Sequence, residues 1–322
     1  MSELDVSLMS PPQRRVFHEL LAVGARRPPH DPELANEVRE FLHERTGEVG
    51  GYRPNGARGL RLNKTSLAAL DCEGRYLDLL DSAFAWSPQT VLGTLVHRAV
   101  ELDQAGRRTR DVPAVITQAW GDFAQKGESA GEYLATLAGV EADALRAEAG
   151  ARLIEFRECF PLVPPTWTVR LEPRLTVHLH RGAVELLGKP DLLFGGAHHA
   201  ERRMLLIDLK TGRRSSKDRE DMRFYALLAT LKYGDAPFRV ATYYLDEAAW
   251  DAEEIDAEAL EAAARSVADR ANRAARLTWQ RPEDSALRLL AGPSCRWCGR
   301  APTCPAKAQA DADWALSAPD RG

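Results

Sequence analysis

Asp208 and Lys210 stand two residues apart in Ile207-Asp208-Leu209-Lys210-Thr211-Gly212, and a second acidic motif, Gly188-Lys189-Pro190-Asp191, places Asp191 sixteen positions before Ile207. On a β-strand residues i and i+2 share a face, so the carboxylate and the ammonium emerge side by side. They follow the apolar run Met204-Leu205-Leu206-Ile207, which a core would bury. A charged pair there costs desolvation unless it binds something. Asp191, on a neighbouring strand, would add a second carboxylate. Two carboxylates and an ammonium are the parts required for divalent-metal hydrolysis of a phosphodiester. Hard oxygen ligands suit Mg²⁺ or Mn²⁺. Such an ion polarises the phosphoryl oxygen and lowers the pKa of a bound water. Lys210 would orient that water or neutralise charge developing on the phosphate. In isolation, Asp-x-Lys reads as a buried ion pair at a strand end, with Asp191 as a turn residue.

Other residues extend the pattern. Gly93-Thr94-Leu95-Val96-His97-Arg98-Ala99-Val100-Glu101 sets His97 and Glu101 four apart on one helical face. His97 would add an imidazole to the carboxylate-held metal, and Glu101 would hold that imidazole or support the ion from further out. The plain alternative is a hydrogen-bonded core histidine beside a solvated glutamate. In Asp221-Met222-Arg223-Phe224-Tyr225, Asp221 and Tyr225 share a face, with the charge of Arg223 nearby. Tyr225 would pack on a nucleotide or hydrogen-bond the lysine, or else pack in the core.

Cys295-Arg296-Trp297-Cys298, followed by Cys304-Pro305, is a C-x2-C-x5-C-P run. Three thiolates in ten residues among Pro293, Gly299, Pro302 and Pro305 suit a compact metal-binding loop. The short spacing and the final proline favour a cubane iron–sulfur cluster, with structural zinc as the alternative. Of the remaining cysteines, Cys72 is the candidate fourth ligand, whereas Cys159 follows an apolar helical pattern as a core thiol. A tie between Cys72 and Cys295 closes a loop of more than 200 residues, a substantial constraint on the unfolded chain. Five cysteines in all, an odd number, argue against a disulfide framework.

These residues need elements to position them. The 322 residues are 44% hydrophobic and 28% charged, enough for one large domain or two modest ones. That composition excludes wholesale disorder, and no apolar run spans a bilayer. Residues 1–12 contain Glu3 and Asp5 and no apolar signal segment, so a cytoplasmic, non-membrane protein is expected. Helices are expected at 13–23 and 32–45, then a Gly/Arg/Pro-rich linker at 47–59. Thr65-Ser66 caps a helix running to Leu80, and 91–102 opens an Ala-rich helical stretch that continues to Cys159, with a loop at 126–131. After Pro164-Pro165 the period shifts to consecutive strands at 167–171, 175–179, 184–187, 191–194 and 204–209. A helix at 217–231, a strand at 238–245 and an acidic helix at 253–277 follow. The fold class is α/β.

In this order the motifs resemble the RecB/AddB-type nuclease family of the PD-(D/E)xK superfamily. The match is to its iron–sulfur branch, which includes the AddB nuclease domain and the cluster-containing nucleases of CRISPR spacer acquisition. The resemblance runs from Leu62 to Pro305 through Thr65-Ser66-Leu67 and Cys72, Gly93 and His97, Glu172, Gly188 and Asp191, Asp208 to Gly212, Tyr225 and the C-x2-C-x5-C run. It implies a restriction-endonuclease-like core, a central mixed sheet flanked by helices, with an N-terminal helical lobe and a C-terminal cluster segment. The corresponding boundaries are 1–60 for a helical extension and linker, 61–310 for the nuclease domain and 311–322 for a polar tail. Within the domain, 61–163 is the lobe, 164–280 the core and 281–310 the cluster segment. The resemblance further implies Mg²⁺ or Mn²⁺ bound by His97, Asp191, Asp208 and the Leu209 carbonyl. It makes Asp191, Asp208, Lys210 and Tyr225 the catalytic set, and Cys72, Cys295, Cys298 and Cys304 the ligands of a [4Fe–4S] cluster. One position departs: the family carries Gln four residues before the helix tyrosine, and here Asp221 stands there.

The expected activity is metal-dependent DNA hydrolysis, as an exonuclease on single-stranded DNA or DNA ends, in repair, recombination or defence. A non-catalytic DNA-binding or scaffold subunit of a helicase or integration complex is the rival from another class. Net charge is −4, but residues 201–240 carry ten basic and six acidic residues, and 251–270 carry two and seven. Arg213, Arg214, Lys217 and Arg223, with Arg202, Arg203 and Arg219, are therefore candidate phosphate contacts, or a solvated face. No Gly-x4-Gly-Lys-Ser/Thr loop is present, so a helicase or CRISPR or repair partner would be a separate chain.

Overall fold

The computed structural model describes residues 6–126, 129–196 and 200–317. Its helices are α1 Pro11–Arg15, α2 Leu34–Arg45, α3 Val49–Tyr52, α4 Lys64–Ala69, α5 Glu73–Asp81 and α6 Pro88–Ala105. They continue as α7 Val112–Lys126, α8 Ser129–Thr136, α9 Gly139–Cys159, α10 Ser216–Tyr233, α11 Ala257–Gln280 and α12 Pro305–Ser317. The strands are β1 Leu60–Leu62, β2 Arg170–Leu171, β3 Leu175–Leu179, β4 Val184–Gly188, β5 Leu192–Phe194, β6 Leu205–Lys210, β7 Arg239–Tyr244 and β8 Ala249–Glu254. The mixed α/β character expected from sequence is present.

The chain divides into two compact units, each drawn from separated segments rather than following the boundaries at 61 and 164. The first comprises the described residues of Met1–Asn36, Ala85–Leu175 and Lys189–Leu260. Its sheet has the order β2-β5-β6-β7-β8, antiparallel except for the parallel pair β6–β7. Leu205, Ile207 and Leu209 of β6 join a core with Leu95, Ala99 and Val100 of α6 and Leu153 and Phe156 of α9. The opposite face of β6 meets α10. A strand covered on both faces reads as a continuous apolar run, which is why Met204–Ile207 stands out in the sequence. α6 begins where Ser87 accepts the Thr90 amide and Pro88 supplies a preset first-turn φ. α10 begins at a Ser215–Asp218 capping box and ends at Gly234, whose φ of +70° suits the left-handed C-cap.

The second unit comprises the described residues of Glu37–Phe84, Thr176–Gly188 and Glu261–Gly322. It holds a three-stranded sheet, β1-β4-β3, with β1 parallel to β4. Hence the run of strands expected after Pro165 does not build one sheet. β3 and β4 turn on each other through His180, Arg181 and Gly182, all at positive φ, and pair with β1.

Further differences have local causes. Residues 13–23 form α1 and a π-helical turn, Val16–Leu20, rather than one α-helix. The helix expected from Thr65 to Leu80 is two helices. Asn63 caps α4 in a reciprocal box with Ser66, and Cys72, in extended backbone, restarts the chain as α5. The linker at 47–59 contains α3, anchored by fully buried Val49. Residues 167–171 contribute only β2, after a 3₁₀ turn at Pro165–Trp167. The acidic helix begins at Ala257, because residues 249–254 form β8 against β7. The expected tail at 311–322 is helical through Ser317, and its last five residues lie outside the described set, as do residues 127 and 128 of the expected loop at 126–131. Among the described residues, no helix is long and apolar enough to cross a membrane.

Candidate active site

The site sits at the C-terminal end of β6 in the first unit. The β5–β6 ladder pairs Leu192 with Ile207, and one step further brings Asp191 opposite Asp208. The Leu209 amide donates to Asp191 Oδ2 at 2.6 Å, fixing one carboxylate oxygen, and His97 Nδ1 lies 2.7 Å from the other. Gly93 lets α6 approach this strand: a Cβ there would lie 3.3 Å from Thr211 Oγ1. One turn later the same helix delivers His97. Burial by itself would lower the His97 pKa, but the carboxylates of Asp191, Asp208 and Glu172 outweigh it and raise the imidazole above its ordinary value.

Glu172 completes the arrangement. It follows β2, its amide donates to the Asp191 carbonyl at 2.8 Å, and its φ is +45°. One ligand atom each from His97, Glu172 and Asp191 falls within a mutual 4.8 Å. An imidazole nitrogen with carboxylate oxygens is a donor set that fits Mn²⁺ or Mg²⁺. In the sequence Glu172 marks only a position of the resemblance. Its ligand role has no local signal there, since a two-residue strand and a left-handed backbone give no periodicity.

Asp208 is buried and Lys210 Nζ lies 2.7 Å from its Oδ2, so the pair expected from i, i+2 spacing is in contact. Asp208 is not in the close group with His97 and Glu172 among the described residues. Asp221 Oδ2 lies 3.9 Å from Lys210 Nζ, which puts a carboxylate where the family carries an amide. Tyr225 is buried and its hydroxyl donates to the Lys189 carbonyl at 3.2 Å. Burial first, then Asp208 and Asp191, push its pKa up. Its place is to brace the Lys189–Asp191 turn, and a ring this buried offers no face to a nucleotide. Glu101 does not support His97: it pairs with Arg98 at 2.5 Å, and Arg98 also holds Asp122. Leu209, expected as a carbonyl ligand, holds Asp191 through its amide.

The basic residues around the strand are largely neutralised within the fold. Arg214 lies 3.0 Å from Glu247 and 2.7 Å from Asp251. Arg223 and Arg219 share Glu253 at 2.5 and 2.7 Å. Arg203 pairs with Glu201 at 2.8 Å, and Arg202 is buried, donating to the Ile255 carbonyl at 2.9 Å. Arg214 and Arg223, expected as phosphate contacts, thus have partners inside the fold, because β8 carries acidic residues to α10. Arg213 and Lys217 are exposed. Burial alone would raise Glu253, but the hydrogen bonds from Arg223 and Arg219 win and hold its carboxyl at about 2. With a depressed folded-state pKa, Glu253 stabilises the fold above its unfolded value, ~4.3, and this contribution fades as pH falls towards 2. Glu253→Gln is therefore expected to lower Tm near neutrality and to flatten the acid limb of Tm between about pH 4.5 and 2.

The cysteine segment lies in the second unit. Cys72, Cys295, Cys298 and Cys304 line one pocket, with none in a disulfide. α5 pins the segment: the Glu73 amide donates to the Arg288 carbonyl at 3.0 Å, Arg75 to the Ser294 carbonyl at 2.9 Å, and the Gly299 amide to Asp78 at 3.0 Å. Backbone amides of Leu290 and Gly292 point at Cys72 Sγ and Cys295 Sγ, at 3.5 and 3.3 Å. No three of the four sulfurs lie within 4.8 Å of one another, whereas one tetrahedral zinc needs S···S of about 3.8 Å. Cys159 is buried in the first unit, as its pattern predicts, and burial pushes its thiol up to about 11.

No curated protein matches the chain. Among solved structures, the crystal structure of SSO0001 is similar over 84% of this chain and 97% of its own, at 12% identity and a TM-score of 0.31. The family model of the PD-(D/E)XK nuclease superfamily matches residues 70–305, from two residues before Cys72 to Pro305, and so takes in the whole Asp191–Asp208–Lys210 site. The chain belongs to the PD-(D/E)XK nuclease superfamily.

Proposed function

We propose that this chain is a metal-dependent deoxyribonuclease of the RecB/AddB-type iron–sulfur branch, acting on single-stranded DNA or DNA ends in repair, recombination or defence. The observation that carries the reading is the approach of His97, Glu172 and Asp191 to a common 4.8 Å, beside the Asp208–Lys210 pair. His97, Asp191 and Glu172 would hold Mg²⁺ or Mn²⁺, with Asp208 next to them. The bound ion supplies Lewis-acid polarisation of the phosphate and an acidified water. Lys210 is placed to orient that water and to offset negative charge on the phosphate. Asp191, held by the Leu209 amide, fixes the depth of the site, and Tyr225 steadies the backbone that carries it. Anaerobically purified protein is expected to shorten end-labelled single-stranded DNA only when Mn²⁺ or Mg²⁺ is added. Salt-sensitive binding without cleavage would instead identify a non-catalytic DNA-binding subunit.

We also propose a [4Fe–4S] cluster on Cys72, Cys295, Cys298 and Cys304. Four thiols around one pocket, with amides aimed at two of the sulfurs, support a site for metal-bound thiolates there. The purified protein is expected to be brown, with about four irons per chain, and Cys298→Ser to lose most of that iron. A colourless protein containing zinc sinks the cluster and leaves the nuclease reading standing.

A further inference from the structure

Each of the three carboxylates at the site has a protein partner. His97 faces Asp191, Lys210 faces Asp208, and Lys189 Nζ lies 2.7 Å from Glu172 Oε2. The three partners differ in how firmly they are held. The side chains of His97 and Lys210 are 26% and 25% exposed, whereas that of Lys189 is 50% exposed. Its backbone, by contrast, is fixed: the Lys189 carbonyl accepts from the buried Tyr225 hydroxyl, and Asp191 follows two residues later. A long, solvated ammonium on an anchored backbone can leave its carboxylate without disturbing the fold.

We propose that Lys189 is a latch between the cation and the substrate. It covers Glu172 while the cation is absent, and it moves to a DNA phosphate once Glu172 turns to the ion. The inference rests on the nuclease reading and assigns one more substrate-binding group to that site. A divalent ion and an ammonium held at the same Glu172 carboxylate repel each other, so cation entry and Lys189 compete. The competition is mild, because a half-exposed ion pair is weak. The freed ammonium, two residues from Asp191, then adds a positive charge where the backbone of the strand passes the scissile bond. Cation and DNA therefore favour each other's binding through one side chain.

The test uses the full chain, purified free of added divalent metal and titrated with Mn²⁺, with the EPR signal of free Mn²⁺ as readout and no DNA present. Lys189→Met, which keeps the apolar stem, is expected to bind Mn²⁺ up to about fivefold more tightly, the ceiling set by an exposed pair. Lys189→Arg keeps the charge and is expected to match the parent. In a Glu172→Gln background, adding Lys189→Met should change Mn²⁺ affinity no further. At saturating Mn²⁺, Lys189→Met is expected to raise KM for single-stranded DNA and to reduce the dependence of log KM on log salt by about 0.7. Unchanged or weaker Mn²⁺ binding by Lys189→Met overturns the latch, and so does an equal gain in the Glu172→Gln background. Tighter Mn²⁺ binding with KM and salt slope unmoved overturns the transfer to phosphate. The Mn²⁺ titration reads Glu172 and Lys189 whether or not the parent cuts DNA. A parent that binds Mn²⁺ but never cleaves fails the nuclease reading alone.

Discussion

Asp208→Ala and Lys210→Ala, made separately, are each expected to lower Mn²⁺-dependent cleavage of single-stranded DNA by about a thousandfold or more. Asp208 Oδ2 lies 2.7 Å from Lys210 Nζ at the strand end, and on the proposed reading this ammonium is the catalytic one. On the proposed mechanism, removing either takes away a charge that would act on the reacting phosphate while substrate binding elsewhere is retained. The loss should therefore fall on kcat, with KM moving little. The double variant should be no slower than the worse single, since the two residues act as one unit. Circular dichroism and iron content should match the parent, which separates lost chemistry from a lost fold. Cleavage at the parent rate by both variants would remove the Asp-x-Lys strand from the mechanism.

The second large effect concerns stability. Asp103, on α6, has no exposed side-chain surface and receives Arg157 at 2.5 Å and Arg108 at 3.5 Å. Those guanidiniums are themselves mostly covered: burial brings Arg108 down to about 10, Arg108 reaches the Arg157 and Phe160 carbonyls at the end of α9, and Arg157 reaches the Arg110 carbonyl in the turn between α6 and α7. Asp103→Ala strands two buried positive charges against each other. The expected cost is about 3–5 kcal/mol, or a fall in Tm on the order of 10 °C, measured by denaturant and thermal unfolding. Replacing the exposed carboxylate Asp143, which pairs with Arg146 at the surface, should cost less than about 1 kcal/mol. Comparable losses at the two positions would show that the buried triad carries no special weight.

Much of the fold was legible because burial leaves periodic marks. β6 is a solid apolar run since both faces are covered, and α6 shows its inner face at Val91, Leu92, Leu95, Val96 and Ala99. Spacing put Asp208 and Lys210 on one strand face and His97 on a helix beside buried neighbours, while their candidate roles came from the family resemblance. The rest depended on contacts between distant segments. Glu253 and Glu254 of β8 read as the start of the acidic helix because their strand character comes only from pairing with β7. Glu172 was visible as a motif position and not as a ligand, since only the β2–β5 pairing brings it to Asp191. The arginines around α10 read as a polyanion face because the sequence shows local charge sums and not the partners that cancel them. The split of the strands between two sheets likewise follows from β1, a three-residue strand just after the expected linker and too short to leave a pattern.

One consequence of the arginine–carboxylate lattice reaches beyond the single molecule. β8 is the last strand of its sheet, six residues long, with one rim of backbone amides and carbonyls left unmatched by any strand among those described. Such a rim invites a neighbouring chain to add itself and begin a fibre. Here it is fenced by the exposed carboxylates of Asp251 and Glu254, whose hydration a docking strand would have to strip, and the opposite rim, β2, is only two residues long. The sheet thus discourages its own polymerisation, a safeguard that charge-removing substitutions at Asp251 and Glu254 would dismantle.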